Sequence, residues 1–345
     1  MRVFQIDPLQ DRRWNRLIEG HPYSSVFHRP EWLQALKSSY GYEPAALSLC
    51  SPDAPLTNAL VFCRIRSALT GKRLVSLPFS DHCEPLTRSP EEAESLITGL
   101  KAMAGPKEWK YVELRTTGAF SDMPGLLDIS VTHFLHRLNL GPSEDELFKG
   151  LHKDCVQRKI RRAGKESLRC EEGASDTLVH LFYRLLIMTR CRRRLPPQPL
   201  RWFRSLVASF GKRLSIRVAF KGDIPIAGTL TLSHRDTVTY KYACSDARFH
   251  NLGGPALLLW TAISEAKRQG FEEFDMGRST VDNTGLVRFK DRWGAARSVL
   301  TYWRYPAAPR SHTYEWATNA MKRLAPFAPK ESLTLLGRLL YRHIG

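Results

Sequence analysis

The sequence predicts a mixed α/β (α+β) fold of two tandem lobes joined by a basic helical segment. Three observations lead there. The chain has 345 residues, and at roughly 150 residues per domain this points to two domains. Its 43% hydrophobic and 25% charged residues can bury a core, which excludes disordered and fibrous classes. The third observation is that one order of elements occurs twice. Three strands are followed by a loop, a helix opened by proline, a strand carrying an arginine near its end, and a last strand.

In the second half, Leu214–Phe220 alternates as a half-buried strand does, and Lys221-Gly222-Asp223 is a turn. Ile226–Ser233 and Thr237–Tyr242 are two further strands around the polar turn His234–Asp236. The loop Ser245–Gly254 leads into a helix from Pro255 to about Arg268. Proline fits the first helical position, where its missing N–H costs nothing, and Gly270 stops the helix. Phe271–Met276 and Ser298–Tyr305 complete the set. In the first half the same places are taken by Leu47–Cys50, Ala59–Ile65, Arg73–Pro78, the helix Pro90–Gly105, Lys110–Arg115 and Thr132–Leu138. Arg115 and Arg278 are expected to match. The resulting boundaries are 1–142 for the N-terminal lobe, 143–305 for the C-terminal lobe with basic helices at its start, and 306–345 for a basic amphipathic tail. One larger α/β domain is the alternative.

The joining segment, Ser143–Cys191, is helical in pattern. Ser143 and Glu146 have capping-box spacing. Lys149–Arg169 carries Lys153, Arg158, Lys159, Arg161, Arg162 and Lys165 with few acids to balance them. After a helix over Leu178–Thr189 come Arg190–Arg194 and the stiff Pro196-Pro197, a frame rigid enough to hold an anion. The formal net charge of +18 points the same way, to RNA, a pyrophosphate-bearing substrate or an anionic membrane surface. In the tail, Leu333, Leu336, Leu339 and Leu340 stand at helical spacing beside Arg338 and Arg342. Such a helix docks on its own protein or lies on a membrane surface, docking being the commoner arrangement.

Seven scattered cysteines with no CxxC pair imply reduced thiols rather than a disulfide framework. The start has no apolar signal core and no apolar stretch is long enough to cross a bilayer. A cytoplasmic protein is expected, with membrane association at the inner face as an added candidate. No HxH, HExxH or paired CxxC supports a metal, and no Walker loop, GxGxxG or GxSxG elbow is present. Cys83 beside His82 is a weak nucleophile candidate, because such partners meet in space rather than along the chain.

The strongest chemical signals lie between Tyr240 and Gly294. Arg248–Ala256 places Asn251, Gly253 and Gly254 at a helix start, where N–H groups and the dipole favour an anion and the glycines let a phosphate or thioester carbonyl approach. Phe274-Asp275-Met276-Gly277-Arg278-Ser279 ends a strand in a charged, glycine-kinked turn, and strand C-termini in α/β folds collect ligand contacts. In Phe289-Lys290-Asp291-Arg292-Trp293-Gly294, Lys290 sits among aromatics where its cation can reach a substrate oxygen. Phe289 and Trp293, four apart, are expected to anchor that segment in the core, with Lys290 at the edge of the buried face. Tyr240 and Tyr242, two apart on a strand, are expected on one face.

Strand–loop–helix–strand with Gly-Gly-Pro at the helix start resembles the GNAT acetyltransferase superfamily, whose pyrophosphate loop binds acyl-CoA. A closer resemblance is to the Fem-type (FemAB/FemX-like) peptidyltransferases and relatives with a BioF2-like acetyltransferase domain. It is carried by Val26–Trp32, Leu77–Asp81, the basic helix Arg158–Ala163, Phe274–Ser279, Phe289-Lys290 and Trp293-Gly294. The resemblance implies two GNAT-like lobes and an enzyme that transfers an acyl or aminoacyl group to an amine of a peptidoglycan or exopolysaccharide precursor. It implies no bound cofactor, acyl-CoA or aminoacyl-tRNA serving as the acyl-donor substrate. The long coiled-coil arm of some tRNA-using members is not evident, which keeps both donors open. Expected partners are thus the anionic donor, the envelope precursor, tRNA, and a peripheral membrane contact through the C-terminal helix.

In these terms Lys290, Arg278 and Asp275 are the catalytic candidates. Either cation can stabilise the oxyanion, while Asp275 orients Arg278 or accepts a proton. Substrate and donor contacts are expected from Gly253, Gly254, Asn251, Tyr240, Tyr242, Arg115, Arg158 and Arg162, and no metal is expected. Two competing functions are a catalytically silent binder of an anionic glycan or nucleotide, and a nucleic-acid binder using Lys149–Arg169.

Overall fold

The computed structural model describes residues 2–105, 108–117, 125–307 and 330–344. The chain forms two compact units. The first comprises Met1–Leu135, Ser298–Ser311 and Leu340–Gly345; the second comprises His136–Arg297 and His312–Leu339.

The first unit's strands are β1 (Phe4–Ile6), β2 (Glu43–Ser48), β3 (Leu60–Ser67), β4 (Gly71–Val75), β5 (Tyr111–Thr117), the first part of β6 (Asp128–Asn139) and most of β12 (Ala296–Tyr305), in the order β1-β2-β3-β4-β5-β12-β6. β2, β3 and β4 form an antiparallel meander. Helix α3 (Pro90–Met103) then crosses over so that β5 lies parallel to β4. This helix buries Ala93, Leu96, Ile97 and Leu100, an i, i+3, i+4, i+7 stripe that fits one helical face. Leu96, Ile97 and Leu100 pack with Phe62, Leu74, Val112 and Leu114 of the sheet. Helices α1 (Arg13–Gly20) and α2 (Pro30–Tyr40) precede the meander.

The second unit repeats the plan. Helices α4 (Glu144–Gly150), α5 (Arg158–Lys165), α6 (Asp176–Arg192) and α7 (Leu200–Phe210) accompany β7 (Arg169–Gly173), β8 (Leu214–Lys221), β9 (Ile224–His234), β10 (Thr237–Ser245) and β11 (Glu273–Thr280). The order is β6-β11-β10-β9-β8-β7. β8, β9 and β10 are an antiparallel meander, and helix α8 (Gly254–Arg268) crosses over to make β11 parallel to β10. Its Leu259, Ala262, Ile263 and Ala266 pack on Val238, Phe274, Met276 and Trp293. Helix α9 (Thr284–Asp291) follows β11, and Ser143 with Glu146 forms the expected capping box.

The duplicated order is therefore present, with two corrections. Residues 298–305, expected in the second lobe, pair antiparallel with β5 from Leu300↔Thr117 to Tyr305↔Val112. That ladder draws them into the first unit. Arg115 and Arg278 also differ in register. Counted from the last parallel pair of each unit, Val75↔Glu113 and Thr239↔Asp275, Arg115 lies two residues on (115 − 113) and Arg278 three (278 − 275).

Of the expected tail, residues 308–329 lie outside the described residues. Helix α10 (Lys330–Ile344) comes after them; the side chains of Leu333 and Arg338 also lie outside the described residues. Among the described residues no helix is long and apolar enough to cross a membrane, and no group of side chains could hold a metal ion.

Candidate active site

In the second unit's sheet the β10–β11 ladder ends beside an irregularity of β10. β10 and β11 are paired over three residue pairs only, ending at Thr239↔Asp275. Just beyond, the β9–β10 register shifts between Tyr240, opposite Thr231, and Tyr242, opposite Leu230. This is a bulge at Lys241, which takes backbone groups out of the ladder and turns the strand. It corrects the expectation for the two tyrosines, because neighbouring positions on β9 face opposite ways. Tyr240 packs toward Phe274 on the α8 side, with ring centroids 6.3 Å apart. Tyr242 packs toward Phe203, at 5.1 Å, and its hydroxyl donates to Gln198 Oε1 at 2.7 Å and accepts from Trp202 Nε1 at 2.8 Å. Burial raises the Tyr240 phenol well above its ordinary range.

The end of β11 is held from within. Gly277 has φ +71°, a left-handed conformation that favours glycine, so the Asp-Met-Gly-Arg motif needs glycine there. Asp275, buried, accepts the Gly277 N–H at 2.6 Å. Lys290 donates to the carbonyls of Gly277 at 2.7 Å and Arg278 at 2.8 Å. Lys290 is 4% exposed, whereas Phe289 is 39% exposed. This corrects the expectation that Phe289 anchors the segment: Val287, Lys290 and Trp293 form the buried side, because the strand-end carbonyls draw the ammonium inward. Arg278 is half-buried.

His136, fully buried on β6, joins this cluster. Its Nε2 lies 3.7 Å from Asp291 Oδ1, and Arg297 Nε lies 3.2 Å from the same oxygen. Burial and the Lys290 charge lower the imidazole to about 4, against the pull of Asp291. Sequence reasoning missed His136 because a lone histidine on an apolar strand belongs to no motif.

Lys159 and Arg192 act on His250 just before the start of α8, as does Asp246, which pairs with Arg248. The N-cap of α8 is Gly253, with no side-chain cap and no acid in the first turn. Nearby, Thr189 Oγ1 and Arg192 Nη1 each donate to the Ser245 carbonyl at 3.1 Å, and Ser245 Oγ lies 2.8 Å from His250 Nε2. Burial, then the charges of Arg192 and Lys159, lower the His250 imidazole. Burial and the neighbouring Arg190 and Arg192 likewise lower Arg193. Along α5, Arg158, Lys159, Arg161, Arg162 and Lys165 are all exposed, as is Asn251; Arg162 pairs with Glu166. Gly253 has φ +83°, and a Cβ there would overlap the Lys159 carbonyl oxygen. The close approach it permits is that of α5, and at Gly254 that of Ile226.

Arg115 lies in the first unit. Its Nη1 donates to the carbonyls of Leu77 at 3.1 Å and Ser80 at 3.2 Å, and its Nη2 pairs with Glu113 at 2.9 Å. Tyr302 covers its guanidinium at 5.0 Å. Cys83 is buried, with Sγ 3.5 Å from His28 Nε2. Burial pushes its thiol well up, so it is an inert thiol at neutral pH rather than a nucleophile.

Residues 154–291 match the model of the Acetyltransferase (GNAT) domain. No curated protein sequence matches the chain. Among solved structures, FemX is similar over 88% of this chain and 97% of its own, with 12% identity and a TM-score of 0.67. L-PGS from Bacillus licheniformis is similar over 93% and 98%, with 11% identity and a TM-score of 0.57. A tandem GNAT protein from the clavulanic acid biosynthesis pathway is similar over 90% and 99%, with 11% identity and a TM-score of 0.56. The matched stretch and the parallel β10–β11 pair crossed over by α8 define the class: residues 154–291 are an Acetyltransferase (GNAT) domain, and the chain is an acyltransferase. Within that class its two lobes have the Fem-type, tandem-GNAT fold.

Proposed function

We infer that the second unit transfers an acyl or aminoacyl group from a donor with a polyanionic handle to an amine of a cell-envelope precursor, peptidoglycan or exopolysaccharide. The observation that carries this reading is the end of the β10–β11 ladder at Thr239↔Asp275, beside the Lys241 bulge. A carbonyl approaching there meets the bulged backbone of β10, whose peptide dipoles are fixed and suited to a developing oxyanion. The handle lies toward the start of α8, where the helix dipole adds to the charges of Lys159 and Arg192.

In this reading Arg278 faces the reacting group from the end of β11. Lys290 and Asp275 fix that end by gripping Gly277 and Arg278, and the Lys290 charge adds to the oxyanion's stabilisation from behind the backbone it holds. Both acyl-CoA and aminoacyl-tRNA suit the charges of Lys159 and Arg192. The exposed cations of α5 favour the longer polyanion, tRNA. Support for an envelope acceptor comes from the resemblance of Phe274–Ser279 and Phe289–Gly294 to Fem-type motifs.

Thermal melts with acyl-CoA and with charged tRNA test the reading. A donor at about a hundred times its Kd stabilises the folded chain by about 2.7 kcal/mol. One of the two should raise the melting temperature, and tRNA binding should weaken steeply with salt. Mass spectrometry should then find the acyl group on an amine of the precursor. If neither donor binds, the reading falls and a silent glycan or nucleotide binder replaces it.

A further inference from the structure

A groove of about 530 Å³ lies between the start of α4 and helix α8, lined by Ser143, Glu144, Asp145, Phe148 and Trp260. All five residues belong to the second unit and none to the candidate active site. Phe148 stands three residues after Asp145 and four after Glu144, so its ring shares their side of α4. Trp260 meets that ring edge to face, with centroids 5.2 Å apart and planes at 66°. Both rings are half-buried and pack against the core of the unit. The two carboxylates are exposed, in a chain whose Lys and Arg outnumber its acids 52 to 34. Neighbouring charges have their own partners. Glu146 accepts from the Ser143 N–H at 2.8 Å and from Ser143 Oγ at 2.7 Å. Lys267 donates to the Gly141 carbonyl at 3.0 Å. Arg161 donates to Gln157 Oε1 at 3.1 Å, and its guanidinium lies 5.5 Å from the Phe148 ring centre. Among the described residues, the Glu144 and Asp145 carboxylates and the Trp260 indole N–H have neither hydrogen bond nor ion pair.

We propose that this groove binds an alkylammonium group, its charge beside Glu144 and Asp145 and its methylene chain along Trp260. An indole is the best aromatic partner for a cation. A chain of methylenes covers the ring while its ammonium stays with the carboxylates. The volume lies in the range of small-ligand sites, which combine aromatic walls with a few polar groups. Two negative charges with no cation paired to them select against an anionic ligand. Acids in a first helical turn also favour the helix dipole, but that role needs neither ring and no groove. A free diamine and a lysyl side chain both carry the required chemistry. Binding here is independent of the transfer reaction.

Indole N–H signals of the isotope-labelled full chain provide the test, the Trp260 signal being the one that Trp260→Phe removes. Cadaverine (a five-carbon diamine), Nα-acetyl-lysine amide and neutral pentanediol are titrated in turn. At least one ammonium probe should shift the Trp260 signal saturably, and less at high salt. The tighter of the two identifies the source of the amine. Pentanediol should bind at least about tenfold less tightly. The double variant Glu144→Gln/Asp145→Asn should weaken the ammonium probes about fivefold or more and melt close to the wild type, because both side chains are exposed. Should that variant misfold, Glu144→Gln alone replaces it, with a weakening of about threefold expected. No shift with either ammonium probe, equal binding of pentanediol, or unchanged affinity in the charge variant overturns the proposal.

Discussion

In the first unit β4 and β5 pair in parallel over Arg73–Val75, and the chain then fills the space beyond them itself. Ser76 N–H donates to the Glu113 carbonyl at 2.8 Å, and Cys83 bridges to Arg115, its N–H donating to the Arg115 carbonyl at 2.7 Å. In the second unit β10 and β11 pair over three residue pairs, and β10 then bulges at Lys241. The helix starts differ in the same sense. α3 is capped by Ser89 and has Glu91 and Glu92 in its first turn, while α8 starts on glycine with no acid in its first turn. One sheet order thus carries two different strand ends: in the first unit the chain's own loop bonds across it, and in the second the strand bulges, which in the proposed reading leaves room for an anion. A repeat can keep its core while only one copy keeps a site, because core order and strand-end chemistry are set by different residues.

The largest expected effect is at Lys290. Lys290→Met leaves the Gly277 and Arg278 carbonyls without their donor and removes a buried charge. Turnover should fall about a hundredfold or more and stability by about 2–4 kcal/mol. The matching change in the first unit is Glu84→Gln, at a buried carboxylate that accepts from the Thr117 N–H at 2.9 Å and pairs with His82 at 2.9 Å. It should destabilise comparably and leave the turnover of the folded fraction at wild type. Steady-state kinetics beside urea titration separate the two; an equal loss of kcat in both variants would break the comparison.

Much of the repeated fold was legible in the sequence, and the parts that were not have physical reasons. Apolar periodicity and proline-opened helices placed the strands and α3 and α8, since hydrophobic period and helix caps act locally. The bulge at Lys241 was illegible because nothing in Thr-Tyr-Lys-Tyr-Ala differs from a regular alternating strand. The inward turn of Lys290 was hidden for another reason: it answers two carbonyls twelve or more residues away. The exchange of β12 into the first unit is a long-range pairing that no local pattern encodes. Gly253 and Gly254 admit neighbours from the protein itself, the α5 backbone at Gly253 and the Ile226 side chain at Gly254.

Acid sharpens the comparison next. Burial lowers His28 in the first unit from 6.5 to about 4, partly opposed by its bond to the Glu84 carbonyl, and His136 in the second is likewise near 4. A histidine with a depressed folded pKa stabilises fully above 6.5, and this contribution is lost as pH falls toward 4. Each should remove up to about 1.4 kcal/mol per pH unit in that window. Glu84 adds a lower window. Burial raises it, but the charge and hydrogen bond of His82 and the Thr117 bond outweigh burial and hold it near 2 against an ordinary 4.5. Its contribution is present above 4.5 and lost as pH falls toward 2. Urea unfolding at about pH 7 and about pH 5 should show His136→Asn and His28→Asn each flattening the first window. A pH dependence unaltered in both variants would refute the assignment.

The smallest effects are at the two helix starts, and they differ in kind. Gly253→Ala meets a positive φ of 83° and the Lys159 carbonyl; it should cost about 2–3 kcal/mol and displace α5, weakening the acyl donor with it. Ser89→Ala removes a long cap, 3.4 Å from Ser89 Oγ to the Glu92 N–H. Side-chain caps are worth about 1 kcal/mol, and a bond of that length belongs at the lower end. The rest of the α3 start survives the change, because Glu92 still accepts from the Arg88 N–H at 2.8 Å and from Asn58 Nδ2 at 3.0 Å. Ser89→Ala should therefore lower the melting temperature slightly and leave acyl-donor affinity untouched, as read by calorimetric titration of the folded variant. If it weakens the donor as Gly253→Ala does, the start of α3 takes part in binding and the first unit is not closed.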